Sequence, residues 1–450
     1  MGKLLIKSAH VVNEGKIQTL DVLIDGERIS KIGHSVTVDI ENVKVINAEG
    51  LYLFPGFIDD QVHFREPGLT HKASVYSESR AAVAGGITSF MDMPNTIPKT
   101  TTLKLLEDKY AIAKNTSLAN YSFFMGITKH NLEEALKIDN ETVCGLTDDG
   151  LYFDAEDGIL ANYPEFLEKL FSRTDSLVTL HCEDDAIINQ NTQFYREKYS
   201  DNIPPSAHPL IRNEQACFEA AKRVVDLAKK HQTRFHAYHI STERETHLFQ
   251  SSSSLRDKRI TSEACVHHLW FTDKDYDRLG NLIKWNPSIK SEYNKLGLIK
   301  ALNDNIVDII ATDHAPHNLS EKVGNYFESK SGGPLVQHAL VALLELYHQG
   351  YLSLEKIVEK TSHHVAEIYR MIDRGYIREG YYADIVLVDM NHLWTATKEN
   401  TLYKCYWTPF ENDVFRSKIL KTIVNGNIVY DDGVFNESIK GKRLIFEKHR

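Results

Sequence analysis

The chain has 450 residues, 42% of them hydrophobic and 25% charged, with a formal charge of -10. That length can bury a large core, and the acidic balance argues against a nucleic-acid-binding face. Five cysteines, at 144, 182, 217, 265 and 405, form no CxxC pair and no even framework, so a reducing, cytoplasmic setting is expected. No apolar run reaches membrane-span length, and Met1-Gly2-Lys3-Leu4-Leu5-Ile6-Lys7 breaks its apolar stretch at once, so neither a membrane segment nor a signal peptide is expected.

Residues 1–54 read as short β segments. Asp25-Gly26 marks a hairpin turn between Val22-Leu23-Ile24 and Ile29-Ser30-Lys31-Ile32. From Phe57 the pattern changes, and short β-branched segments alternate with longer helical ones. Eight strands are predicted, over 57–63, 87–93, 120–127, 142–149, 177–184, 234–241, 259–268 and 306–315. Between them, stretches such as Ser77 to Ala84, Leu103 to Lys114, Ala216 to Lys230 and Leu296 to Asn303 have helical spacing. This alternation predicts an α/β fold built on a (β/α)8 TIM barrel. From about residue 371 the chain turns back to β, with a hairpin signal in Val424-Asn425-Gly426-Asn427. The two β-rich ends are expected to pair into one small domain, giving segments 1–54, 55–370 and 371–450.

Pro55-Gly56 opens the first barrel strand, which ends in Asp59-Asp60-Gln61-Val62-His63. Residues two apart on a strand share a face, so Gln61 and His63 point the same way, with Arg65 just beyond. Other predicted strands also end in residues that can do chemistry: Met93-Pro94-Asn95, Asp148-Asp149, His181-Cys182-Glu183-Asp184, His239 and Asp313-His314. Recurrence at the same end of successive strands is what an active site at a barrel mouth requires. Histidines and carboxylates gathered there suit a metal ion.

Taken together, the motifs Gln61-Val62-His63-Phe64-Arg65-Glu66-Pro67-Gly68, Met93-Pro94-Asn95-Thr96, Thr147-Asp148-Asp149-Gly150, His181-Cys182-Glu183-Asp184, His239-Ile240-Ser241-Thr242, Lys284-Trp285-Asn286-Pro287 and Ala311-Thr312-Asp313-His314-Ala315-Pro316-His317 resemble those of the dihydroorotases of the amidohydrolase superfamily, the bacterial stand-alone type. They follow the family order and span almost the whole chain. The resemblance implies a zinc centre at the barrel mouth, with Asp149 bridging, His181 and His239 on one ion, and His63 and Asp313 on the other. One zinc is expected to be firmly held and a second to complete the pair. Where the family has a further histidine this chain has Gln61, and that departure bears on the second ion.

The resemblance also implies that Arg65 and Asn95 hold a substrate carboxylate, with His317 close to it. Asn286 would contact the substrate ring, and Ser331 and Gly332 would offer backbone contacts from the loop 318–333. His63 is shared between metal and substrate, and Asp313 is the implied acid–base residue. The implied reaction is the reversible closure of N-carbamoyl-L-aspartate to dihydroorotate and water, a step of pyrimidine synthesis. Zinc lowers the pKa of a bound water to about 7, Asp313 would carry the proton to the leaving nitrogen, and the Arg65 guanidinium matches a planar carboxylate. Two other readings stay open. Allantoinases and dihydropyrimidinases usually bridge their metals with a carboxylated lysine on strand four, yet Thr142 to Asp149 contains no lysine. A catalytically silent scaffold for aspartate transcarbamoylase would have lost metal ligands, of which Gln61 is one. A homodimer is the expected assembly, with no nucleic-acid or membrane partner.

Several polar residues have a plainer reading. His267 and His268 are placed on strand seven in packing roles. Cys182 should point away from its neighbour His181 into the core. Asp148 should face away from the mouth, and His208, His231 and His236 are read as structural or solvated.

Overall fold

The computed structural model describes residues 2–38, 43–152 and 158–448. Five strands open the chain: β1 (Lys3–Asn13), β2 (Lys16–Asp25), β3 (Arg28–Gly33), β4 (Val43–Asn47) and β5 (Tyr52–Pro55). The turn after Asp25 uses Gly26 at φ 62°, a left-handed conformation that costs glycine little.

The barrel strands follow: β6 (Phe57–Val62), β7 (Ile87–Asp92), β8 (Asn120–Phe123), β9 (Met125–Gly126), β10 (Leu146–Thr147), β11 (Val178–Leu180), β12 (Phe235–Ala237), β13 (Ile260–Cys265) and β14 (Ile309–Ala311). β8 and β9 are one strand interrupted at Phe124, so the barrel has eight staves, one inside each predicted segment. β6 through β8 pair in parallel, as do β9 through β14. A parallel bridge from Val62 to His314 closes the ring. β6 and β7 are buried at every position, as expected of strands packed on both faces. The predicted (β/α)8 TIM barrel is therefore the fold.

The outer helices follow the same logic. In Glu214–His231 the buried residues Ala216, Cys217, Ala220, Ala221, Val224, Val225 and Ala228 recur at three- and four-residue spacing. The Asn213 side chain accepts from Ala216 N at 3.0 Å, and Lys229, Lys230 and His231 sit in the last turn, where cations oppose the helix dipole.

After the barrel come β15 (Ile385–Asp389), β16 (Trp394–Thr395), β17 (Val414–Phe415), β18 (Lys418–Val424), β19 (Asn427–Asp431) and β20 (Val434–Phe435). Strands from both chain ends form one nine-stranded sheet, ordered β20-β19-β18-β15-β5-β1-β2-β3, with β4 beside β1. The junction is β5 against β15. One residue after β5, Gly56 N donates to Asp384 O at 2.8 Å, and the chain enters the first barrel strand. This anchors the strand that carries Gln61 and leads into His63. No helix of the described residues is long and apolar enough to cross a membrane.

Candidate metal centre and substrate cavity

The C-terminal ends of the barrel strands converge on Asp149. Its carboxylate belongs to two groups of potential metal ligands, one with His181 and His239 and the other with His63 and Asp313. All five side chains are buried. Arg65 (φ 68°), His239 (φ 35°) and Asp313 (φ 47°) adopt left-handed backbone that non-glycine residues rarely occupy, so the strand ends hold strain just where these side chains meet.

In the first group His181 Nδ1 lies 3.1 Å from His239 Nε2, and His239 Nε2 lies 4.0 Å from Asp149 Oδ1. Glu183 Oε2 accepts from His181 Nε2 at 2.8 Å and is itself paired with Arg212. With its proton fixed on Nε2, His181 turns the lone pair of Nδ1 toward His239 and Asp149. That tautomer, held by a carboxylate behind the ring, is the arrangement that prepares an imidazole for a metal. The donor set of two imidazoles and a carboxylate fits zinc.

In the second group His63 Nε2 lies 3.0 Å from Asp313 Oδ1 and 3.3 Å from Asp149 Oδ2. His63 Nδ1 donates to Asn95 Oδ1 at 2.9 Å, so Nε2 faces two carboxylates and calls for a cation or a proton between them. Burial alone disfavours a charged His63, but its hydrogen bonds to Asp149 and Asp313 outweigh that and lift its pKa to about 9. Burial pushes Asp313 up to about 6 against the pull of His63. Burial acts the same way on Asp149, yet the hydrogen bond from His63 and the facing histidines hold it well below the usual carboxylate range.

Gln61 shares the inward face with His63. Its Nε2 donates to Asp149 Oδ2 at 3.0 Å, and its Oε1 accepts from the Cys265 thiol at 3.5 Å. The amide thus turns its N–H2 toward the centre and its oxygen away. As oriented, it supplies no ligand atom to the second group.

A cavity of about 560 Å³ opens above the cluster, lined by His63, Arg65, Asn95, Asp149, Asn286, Asp313, His317, Ser331 and Gly332. His181 and His239 lie beneath it. Arg65 is 6% exposed, and Nε donates to Pro316 O at 3.2 Å. Among the described residues no carboxylate forms an ion pair with its guanidinium. His317 Nδ1 accepts from Lys72 Nζ at 3.1 Å, while Nε2 donates to Ser331 O at 3.0 Å. Lys72 is also paired with Glu321 at 2.7 Å. Gly150, at φ 71°, gives Asn95 its room: a Cβ there would lie 2.3 Å from Asn95 Nδ2.

Two buried lysines place the loop 318–333. Lys284 Nζ donates to the carbonyls of Tyr326 and Ser329, and Lys322 Nζ donates to those of Lys330 and Gly332, both at 2.7 Å. Ser331 and Gly332 reach the cavity in consequence.

Other polar residues take different places. His267 and His268 are not on strand seven. β13 ends at Cys265, and both lie in the short helix Val266–Trp270, with His267 stacked on Trp285 at 4.6 Å. Asp148 turns away from the mouth to accept from Leu160 N and His181 N, and burial pushes its pKa up to about 7. Cys182 is packed in the apolar core. All five cysteines are free. Arg212, Cys265 and the lysines 72 and 322 carry parts of the site that no sequence pattern singled out, while Glu183 and Lys284 stood inside motifs without a role of their own. The signal for Glu183 was its place two residues after His181 in a predicted strand, where the two would share a side.

Residues 52–429 match the amidohydrolase family. A dihydroorotase of Methanosphaera stadtmanae is 30% identical over 435 residues, 96% of this chain and 97% of that protein. An allantoinase of Desulfitobacterium hafniense is 30% identical over 454 residues, 98% of each. The solved L-hydantoinase (dihydropyrimidinase) of Arthrobacter aurescens superposes with a TM-score of 0.89 at 22% identity, covering 97% of this chain and 98% of that one.

Proposed function

The chain belongs to the amidohydrolase family as a cyclic amidohydrolase, and from that premise we propose that it is a zinc-dependent dihydroorotase. It would interconvert (S)-dihydroorotate and N-carbamoyl-L-aspartate, in the direction of ring closure for de novo pyrimidine (UMP) synthesis. The observation that carries this reading is Arg65. A guanidinium sealed in the cavity wall, with no ion-pair partner among the described residues, favours an anionic substrate. Dihydroorotate brings a carboxylate; hydantoin, dihydrouracil and allantoin do not.

Asp149, His181 and His239 would hold the firm zinc, and His63, Asp149 and Asp313 a second, weaker one. Zinc supplies a water whose pKa is lowered to about 7 and a Lewis acid that polarises the scissile carbonyl. Asp313 would accept the proton from the attacking water and return it to the leaving ring nitrogen. Arg65 and Asn95 would hold the carboxylate beside His317, and Asn286, Ser331 and Gly332 would flank the ring. The protein would work in the cytoplasm as a homodimer, on a small molecule alone.

The test is to load the protein with zinc and compare its hydrolysis of dihydroorotate, dihydrouracil, hydantoin and allantoin. Dihydroorotate is expected to be the preferred ring. Faster turnover of a ring without a carboxylate would transfer the chain to the allantoinase or dihydropyrimidinase type. A folded protein that binds no zinc and hydrolyses none of them at any zinc concentration would favour the silent scaffold.

A further inference from the structure

One layer below the mouth, Asp60, His236 and Glu263 meet inside the barrel. Asp60 lies on β6, three residues before His63, and His236 lies on β12, three residues before His239. Glu263 lies on the neighbouring β13. All three are 0% exposed. His236 Nε2 lies 3.2 Å from Glu263 Oε2 and 3.7 Å from Asp60 Oδ2. One ligand atom from each residue lies within 4.8 Å of the other two.

The surroundings orient these atoms inward. His236 Nδ1 is held by Thr261 Oγ1 at 2.8 Å. His236 Nε2 faces the two carboxyls. Glu263 Oε1 is taken by His239 N at 3.1 Å, which leaves Oε2 for the cluster. Tyr369 donates to Asp60 Oδ2 at 2.8 Å, but Asp60 Oδ1 receives no N–H or O–H from the described residues. No lysine or arginine among the described residues pairs with either carboxylate. Burial pushes the pKa of both Asp60 and Glu263 well up, so in the absence of a cation these sealed carboxyls hold protons, and a cation would take the protons' place.

We infer that Asp60, His236 and Glu263 hold a divalent cation of the zinc class, separate from the centre at the mouth. One imidazole nitrogen and two carboxylate oxygens form a zinc donor set, and donor atoms 3.2 and 3.7 Å apart suit ligands roughly 2 Å from a common ion. The ion neutralises both carboxylates and ties β6, β12 and β13 together. Through Glu263 Oε1 it also steadies the backbone of His239, so it serves the site by position and touches no substrate. With no path to solvent, it is captured during folding and exchanges slowly.

The experiment is zinc analysis of the full-length protein before and after prolonged treatment with a strong chelator, joined to an anomalous difference map of zinc-loaded crystals. One zinc per chain is expected to survive chelation, because the mouth opens to the cavity and the buried site does not. The map is expected to show a peak among Asp60, His236 and Glu263. Asp60→Asn is expected to lose the chelator-resistant zinc and keep the labile one. A folded, chelated native protein free of zinc would overturn the inference, as would a map with its only peaks at the mouth. The map decides even if Asp60→Asn does not fold.

Discussion

Gln61 clamps Asp149: its side-chain amide donates to Asp149 Oδ2 at 3.0 Å, while Cys265 holds the amide oxygen on the far side. The carboxylate shared by both ligand groups is thus engaged from the side of the second group. The native chain is expected to fill the position at Asp149, His181 and His239 first and to take up a second zinc weakly. Gln61→His supplies an imidazole in place of the amide and should tighten the second position, by about tenfold or more if the ligand is gained cleanly. Zinc titration of chelated protein, native against Gln61→His, measures this. Two equally tight mouth sites in the native chain, unchanged by the substitution, would mean the amide is no obstacle.

Arg65→Lys keeps the charge and loses the planar fork. If Arg65 receives the substrate carboxylate, kcat/KM for dihydroorotate should fall by on the order of 2–3 kcal/mol of transition-state binding. Zinc content should not change, since Arg65 belongs to neither ligand group. An unaltered kcat/KM would remove Arg65 from the carboxylate site.

What the sequence disclosed followed local rules. Period-two alternation placed Gln61 and His63 on one face, and both now reach Asp149. The switch between β-branched and helical segments announced the barrel, and the Asn425-Gly426 turn announced the β18–β19 hairpin. Long-range contacts left no such trace. The Cys265 thiol meets Gln61 across 204 positions, and Lys284 reaches Tyr326 and Ser329 across more than 40. His267 and His268 were misplaced because β13 turns into a helix at Val266 with no glycine or proline to mark the change. His236 is buried, as a structural role requires, and its partners Asp60 and Glu263, which come from other strands, left no local pattern.

Asp313→Asn should abolish turnover more completely than it lowers metal content. The amide oxygen can still approach a cation, but the side chain can no longer carry a proton. Asparagine also tolerates the φ of 47° at this position, so the fold should survive. Single-turnover rates and zinc content of the same preparation make the comparison. Retention of most of the native rate would shift the acid–base role, and His317, across the cavity, would be examined next.

The last prediction concerns pH and the chelated protein. His63 has an ordinary pKa of 6.5 and is lifted to about 9 by Asp149 and Asp313, despite burial. Between those values the folded chain binds a proton that the unfolded chain has released, so stability must fall as pH rises. The contribution is fully present below about 6.5 and gone once pH passes about 9, and it amounts to on the order of 3 kcal/mol. Denaturant unfolding at a series of pH values, native against His63→Gln, isolates it: the stability gap between them should close across that window. Curves that run parallel from pH 6.5 to 9 would show that His63 is neutral in the ion-free fold. Zinc would replace that proton, so uptake at the second position should strengthen about tenfold per pH unit until His63 deprotonates unaided.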